Sequence, residues 1–178
     1  LDTYKKNDPK EWAITQIKKK GLRDMGACIS SDSVHLLSVG SETMTLRLDR
    51  ACQNAMTIAK FLDKHPKIKQ VFYPGLVAHP QHYVASQQFR YPGAILSFAP
   101  KDSIDCRHLI NAFEVILCST HLGDNRTLAI PVAQTIYFEM GKDRRQTMGI
   151  SENMVRLSVG IENIEDLLAD LDSSLMNL

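Results

Sequence analysis

The stretch NMVRLSVGIENIEDLLADL, residues 153–171, decides the fold. From Met154 to Val159 side chains alternate faces with the period of a strand. Val155, Leu157 and Val159 take one face; Met154, Arg156 and Ser158 take the other. Gly160 ends the strand. Ile161, Ile164, Leu167, Leu168 and Leu171 then recur at helical spacing, with Glu162, Glu165, Asp166 and Asp170 between them. Arg156 is the anomaly: a planar, permanently charged fork on an otherwise apolar strand needs an anionic partner. Buried ions are normally paired within the protein, so an internal salt bridge is the ordinary expectation. The alternative is a ligand carboxylate or phosphate, whose geometry the fork matches.

Working outward, residues 8–27 read as a helix that Asp8 can cap and Pro9 can open, with Trp12, Ile14 and Ile17 as its apolar contacts. Lys18 to Lys20 read as a solvated basic face, Gly21 as an interruption, and Ser30 to Ser33 as a polar break. Residues 42–64 carry the longest apolar stripe, from Met44 through Ala51, Ala55 and Ile58 to Leu62. They predict a long amphipathic helix that stops at His65-Pro66. Strands are expected over 67–72, 94–98 and 115–118. A short helix is expected over 80–89, and another over 103–114 capped by Asp102 or Ser103. Residues 119–135 are rich in loop formers, and 140–150 look exposed. Strands and helices in this order predict an α/β two-layer arrangement with helices on one face of the sheet.

The 178 residues, 44% hydrophobic and with a net charge of +1, fit a soluble globular protein. The charge argues against nucleic acid or an anionic membrane as partner. No apolar run approaches the ~20 residues that span a bilayer. The opening LDTYKKNDPKEW has no initiator methionine and no leader, as expected of part of a longer polypeptide. Cys28, Cys52, Cys106 and Cys118 form no CxxC pair and read as buried free thiols of a reducing cytoplasm. His79 and His82 lie three apart without a third ligand, so no metal is expected. Phosphate-loop and GxSxG motifs are absent. His121-Leu122-Gly123-Asp124 follows a strand end, where open sheets often place ligands; His121 could donate to one, or bond only to solvent. Asp124 beside Arg126 reads as a surface pair.

Six collinear stretches carry a resemblance that goes further: GLRDMGACIS (21–30), SETMTLRLDRACQNA (41–55), FLDKHPKIKQVFYPGL (61–76), YPGAILSF (91–98), THLGDNRTL (120–128) and MGISENMVRLSVGIENIEDLLADL (148–171). Together they resemble the carboxyl-terminal part of the pyridoxal 5′-phosphate-dependent Cys/Met-metabolism enzymes. This trans-sulfuration group includes cystathionine γ-synthase, the cystathionine lyases, methionine γ-lyase and O-acetylhomoserine sulfhydrylase. The resemblance implies the small domain of the type I aminotransferase-like fold. Residues 1–35 would then end the large cofactor-binding domain and 36–178 form the small one. It implies a cytoplasmic homotetrameric parent acting on a sulfur-containing amino acid or homoserine ester.

The Schiff-base lysine of this family lies in a Ser-x-Thr-Lys setting. No such motif occurs here, and Lys5, Lys6, Lys10 and Lys18 to Lys20 stand outside it. The cofactor would be bound mainly by an upstream domain; no catalytic or cofactor-binding residue is assigned to this chain. The resemblance places Arg156 on the arginine that grips the substrate α-carboxylate and His121 near that carboxylate, where relatives often have serine or asparagine. AIPVAQTIYFEMG (129–141) departs from the usual His-Pro-Ala-Ser-x-Thr-His pattern. The alternative is a non-catalytic accessory domain that docks on a cofactor-bearing partner chain.

Overall fold

The computed structural model describes residues 9–178, which fall into two compact units, the first reaching Thr43 and the second running from Met44 to Leu178. The expected Asp8 cap, and Lys5 and Lys6, lie outside the described residues.

In the first unit a 3₁₀ turn, Pro9–Glu11, leads into α1 (Trp12–Gln16), and the helix then widens to π geometry over Ile17–Asp24. Gly21 lies inside that widened stretch, where its backbone freedom weakens the α register. The apolar residues of this segment are not buried: Trp12, Ile17 and Met25 are all exposed. Ser30 to Ser33, expected as a break, instead start α2 (Ser31–Glu42). The Ser30 hydroxyl accepts from the Ser33 N–H at 3.2 Å, capping the helix. No residue of α2 is buried, and Leu36 and Leu37 face solvent.

The second unit is a five-stranded sheet in the order β1-β2-β5-β4-β3, formed by β1 (Ile68–Phe72), β2 (Ile95–Pro100), β3 (Leu117–Cys118), β4 (Leu128–Pro131) and β5 (Val155–Ser158). All pairings are antiparallel except β3 with β4. The helices are α3 (Met44–Lys64), α4 (His82–Gln88), α5 (Cys106–Ala112), α6 (Lys142–Thr147) and α7 (Ile164–Met176). The expected α/β layering is present: Val155, Leu157 and Val159 join Leu96, Phe98 and Ala129 on one face of the sheet. There they meet Ile58 and Leu62 of α3, Leu109 of α5, and Leu167 and Leu171 of α7. Truncating Leu171 to alanine in this filled core would cost about 2–5 kcal/mol.

Four local expectations change. β4 was not foreseen in the loop-rich 119–135 stretch. The helix expected over 103–114 shortens to α5, whose cap is Asp105, accepting from Arg107 N at 2.8 Å; Asp102 instead pairs with Lys69 at 3.0 Å. The strand expected over 115–118 shortens because the N–H groups of Glu114, Val115 and Ile116 all go to the buried Asp170 carboxylate, at 2.8, 3.0 and 2.9 Å. Residues 140–150 contain α6, with Arg145 only 7% exposed.

The four thiols are free, but only Cys52 and Cys106 are buried; Cys28 and Cys118 are exposed. Burial pushes both buried thiols upward, Cys106 to about 11. Among the described residues no helix is long and apolar enough to cross a membrane, and no three His, Cys, Asp or Glu side chains cluster as for a metal.

Candidate functional site

β5 is the central strand and is bonded on both sides, as are its neighbours β2 and β4. Directly opposite partners in antiparallel strands share a face. Register therefore sets Arg156 in a row with Ser97 of β2 and Ile130 of β4, and Phe72 of β1 continues that row beyond Ser97. This is the face away from the main helices. A smaller cluster covers part of it: Ile130, Val132, Ala133, Ile150 and Met154, with Phe72 and Tyr137 packed against them.

The 119–126 loop folds over the same face. Gly123 N–H donates to the Ser158 hydroxyl at 3.1 Å, and Arg156 Nη2 donates to the Thr120 carbonyl at 2.9 Å. The loop is tied at its far end by a buried network. Thr127 N–H donates to Glu162 Oε1, the Thr127 hydroxyl donates to Glu162 Oε2 at 2.9 Å, and Gly160 N–H donates to the Thr127 hydroxyl at 2.9 Å. Asn54 of α3 completes it by donating to the carbonyls of Gly160 and Glu162, at 3.1 and 3.0 Å. Gly160 has no alternative here, because a Cβ would collide with the Asn125 carbonyl.

The internal salt bridge expected for Arg156 is not formed: among the described residues no carboxylate pairs with it. Its Nε is buried with no hydrogen-bond partner. Burial lowers the guanidinium pKa, and the nearby Tyr137 phenol opposes that shift. An arginine left with buried, unused donors is costly, by about 1–3 kcal/mol per unsatisfied group, and is chemically competent to take a planar anion. His121 is exposed. The structure brings it near Arg156 only through the backbone, since it follows Thr120; its N–H donates to the Ser119 hydroxyl oxygen at 3.3 Å. Asp124 and Arg126 form the expected surface pair at 3.1 Å, which holds the Asp124 carboxyl down at about 2.

Sequence reasoning missed Thr120 and Tyr137. A backbone acceptor leaves no residue signature, and Tyr137 reaches this face only through the turn after β4. A cleft of about 520 Å³ opens between β1, β2 and α6, bordered by Phe72, Lys142 and Glu152; neither Arg156 nor His121 lines it.

The model of the Cys/Met metabolism PLP-dependent enzyme family matches residues 5–176. The chain belongs to this family. An L-methionine gamma-lyase of Fusobacterium nucleatum subsp. polymorphum is 39% identical over 162 residues, covering 90% of this chain and 41% of that protein. A homocysteine synthase of Schizosaccharomyces pombe is 38% identical over 156 residues, 86% of this chain and 36% of that protein. The crystal structure of a putative O-acetylhomoserine (thiol)-lyase from Campylobacter jejuni superposes with a TM-score of 0.86 at 33% identity. It covers 96% of this chain and 41% of that one, and contains N′-pyridoxyl-lysine-5′-monophosphate. The chain thus spans about two fifths of the length of these relatives.

The family is pyridoxal phosphate-dependent, and the cofactor needs an amine that can bond its aldehyde. The described residues do not fit that group by themselves. None of their lysines is buried. What they do present is the under-paired guanidinium, which suits an acid group.

Proposed function

We propose that this chain is the carboxyl-terminal part of a pyridoxal phosphate-dependent lyase or transferase acting on a sulfur-containing amino acid or homoserine ester. Its own contribution is recognition of the substrate α-carboxylate. One observation carries the reading: Arg156 sits on the innermost strand with a buried donor unspent and no carboxylate beside it. Arg156 holds the acid group by charge-assisted hydrogen bonds, and Thr120 fixes one arm of the fork. Holding the carboxylate on a rigid strand orients the rest of the amino acid toward the cofactor, which when bound supplies the electron sink. His121 stands at the rim of the site, on the loop that Arg156 pins.

The cofactor and its lysine belong to an upstream domain, of which residues 1–35 are the end and 36–178 the small domain's beginning and remainder. The parent enzyme is a cytoplasmic homo-oligomer. Uncovered apolar residues on α2, such as Leu36 and Leu37, are also what a docking module would show. The second reading is therefore a non-catalytic domain that binds a cofactor-bearing partner chain.

Arg156→Leu in the complete enzyme tests the proposal. The expected loss in kcat/KM is about 3–5 kcal/mol, the range for breaking a buried charge pair. An unchanged kcat/KM rejects the assigned role. Activity from the isolated chain supplied with pyridoxal phosphate would reject the division of labour.

A further inference from the structure

Tyr137 lies in the turn that leaves β4, and its N–H donates to the Val132 carbonyl at 3.1 Å. Its ring packs against the cluster that contains Ile130 and Met154. Ile130 is the cross-strand partner of Arg156, and Met154, two residues before Arg156, immediately precedes β5. The ring therefore sits over the sheet beside the guanidinium, and the two groups interact electrostatically. No described residue takes the Tyr137 hydroxyl.

The turn is held from outside by a dedicated ion pair. Arg145 is buried; its Nη1 donates to the carbonyls of Tyr137 and Phe138, both at 3.3 Å, and its Nη2 meets the two Glu152 oxygens at 2.9 and 3.1 Å. These charge-assisted bonds fix the backbone of the turn at Tyr137 and Phe138.

We propose that Tyr137 is a specificity-determining residue of the Arg156 site, its hydroxyl donating to an oxygen of the acid group that Arg156 holds, with Arg145 as the positioning residue. The inference rests on the carboxylate-anchoring reading of Arg156. A carboxylate has about four lone-pair sites, enough for the fork and a phenol together, whereas a carboxamide turns N–H groups toward donors. The pair therefore selects a free acid over its amide.

The test uses the complete enzyme holding pyridoxal phosphate, with Tyr137→Phe, Arg145→Lys and Arg156→Leu compared. Tyr137→Phe keeps the ring and is expected to raise KM for the amino-acid substrate about tenfold, the worth of one hydrogen bond to a charged group, with kcat within about twofold. Inhibition by L-norleucine should weaken by a similar factor while inhibition by L-norleucinamide does not, so the acid-to-amide preference collapses. Arg145→Lys should reproduce the KM change, and the double variant should be no worse than either single one. An unchanged KM and acid-to-amide preference in Tyr137→Phe, with Arg156→Leu still impaired, overturns this inference alone. If Arg156→Leu also leaves KM unchanged, the anchoring reading falls with it.

Discussion

The carbonyl of Thr120 accepts a 2.9 Å hydrogen bond from Arg156 Nη2, the only hydrogen bond that the described residues offer this guanidinium. The fork is held in place but not neutralised, so Arg156→Met should make the fold more stable. Removing the unsatisfied Nε and the desolvated charge is expected to gain about 1 kcal/mol. That is about 2–4 °C in Tm for a chain of this size, read by calorimetry on the isolated chain. A drop in Tm would mean that the guanidinium already has a satisfactory partner.

Asp170 is the opposite case, a buried carboxylate fully used by three backbone N–H groups. Asp170→Asn keeps the shape but turns an amide N–H₂ toward those donors and removes the charge. We expect a loss of about 2–4 kcal/mol in urea unfolding. The neighbouring Asp172, 55% exposed, should tolerate the same change within about 1 kcal/mol.

How far the sequence foretold this depended on whether local pattern and tertiary contact agreed. β5 with α7, and α3, were legible because the alternation of Val155, Leu157 and Val159 and the stripe through Ile58 and Leu62 match the buried faces. β4 was not, because Leu128 to Pro131 are buried on both faces and show no alternation. α2 was hidden because Ser30, read as part of a break, is a cap, and because no residue of α2 is buried. Arg156 stood out as a charge on an apolar strand; the Thr120 carbonyl and the Tyr137 turn depend on long-range geometry that no local pattern encodes.

Gly160 and Gly40 should respond to alanine with opposite signs. At Gly160 the added methyl meets the Asn125 carbonyl and the Glu162 carboxylate, so Gly160→Ala is expected to lose about 1–3 kcal/mol. Gly40 lies within α2 with nothing near its would-be Cβ, and Gly40→Ala should gain about 0.5–1 kcal/mol. Denaturation midpoints of the two variants decide the matter.

The thiols give a pH test. Cys106 is raised from 9.0 to about 11 by burial, so the folded state keeps a proton that the unfolded state releases. Its contribution to stability is whole below about pH 9 and is lost as pH rises toward 11. Stability should therefore fall over that interval, and fall less in Cys106→Ala measured relative to its own neutral-pH value. Thiol titration of the native chain near pH 8 should label Cys28 and Cys118 quickly and Cys52 and Cys106 only on unfolding.

Placing the Arg156 cation on the strand flanked by β2 and β4 separates a fixed position from its more variable surroundings. The ladder hydrogen bonds of β5 fix where the Arg156 guanidinium stands. Of the two segments that reach over it, the exposed 119–126 loop carries none of the hydrophobic core and can change composition at small cost to folding, whereas 132–141 is tied down by Val132, Ala133 and the Arg145 bonds. If Arg156 anchors the substrate as proposed, its position is set by the ladder and its surroundings by the loops.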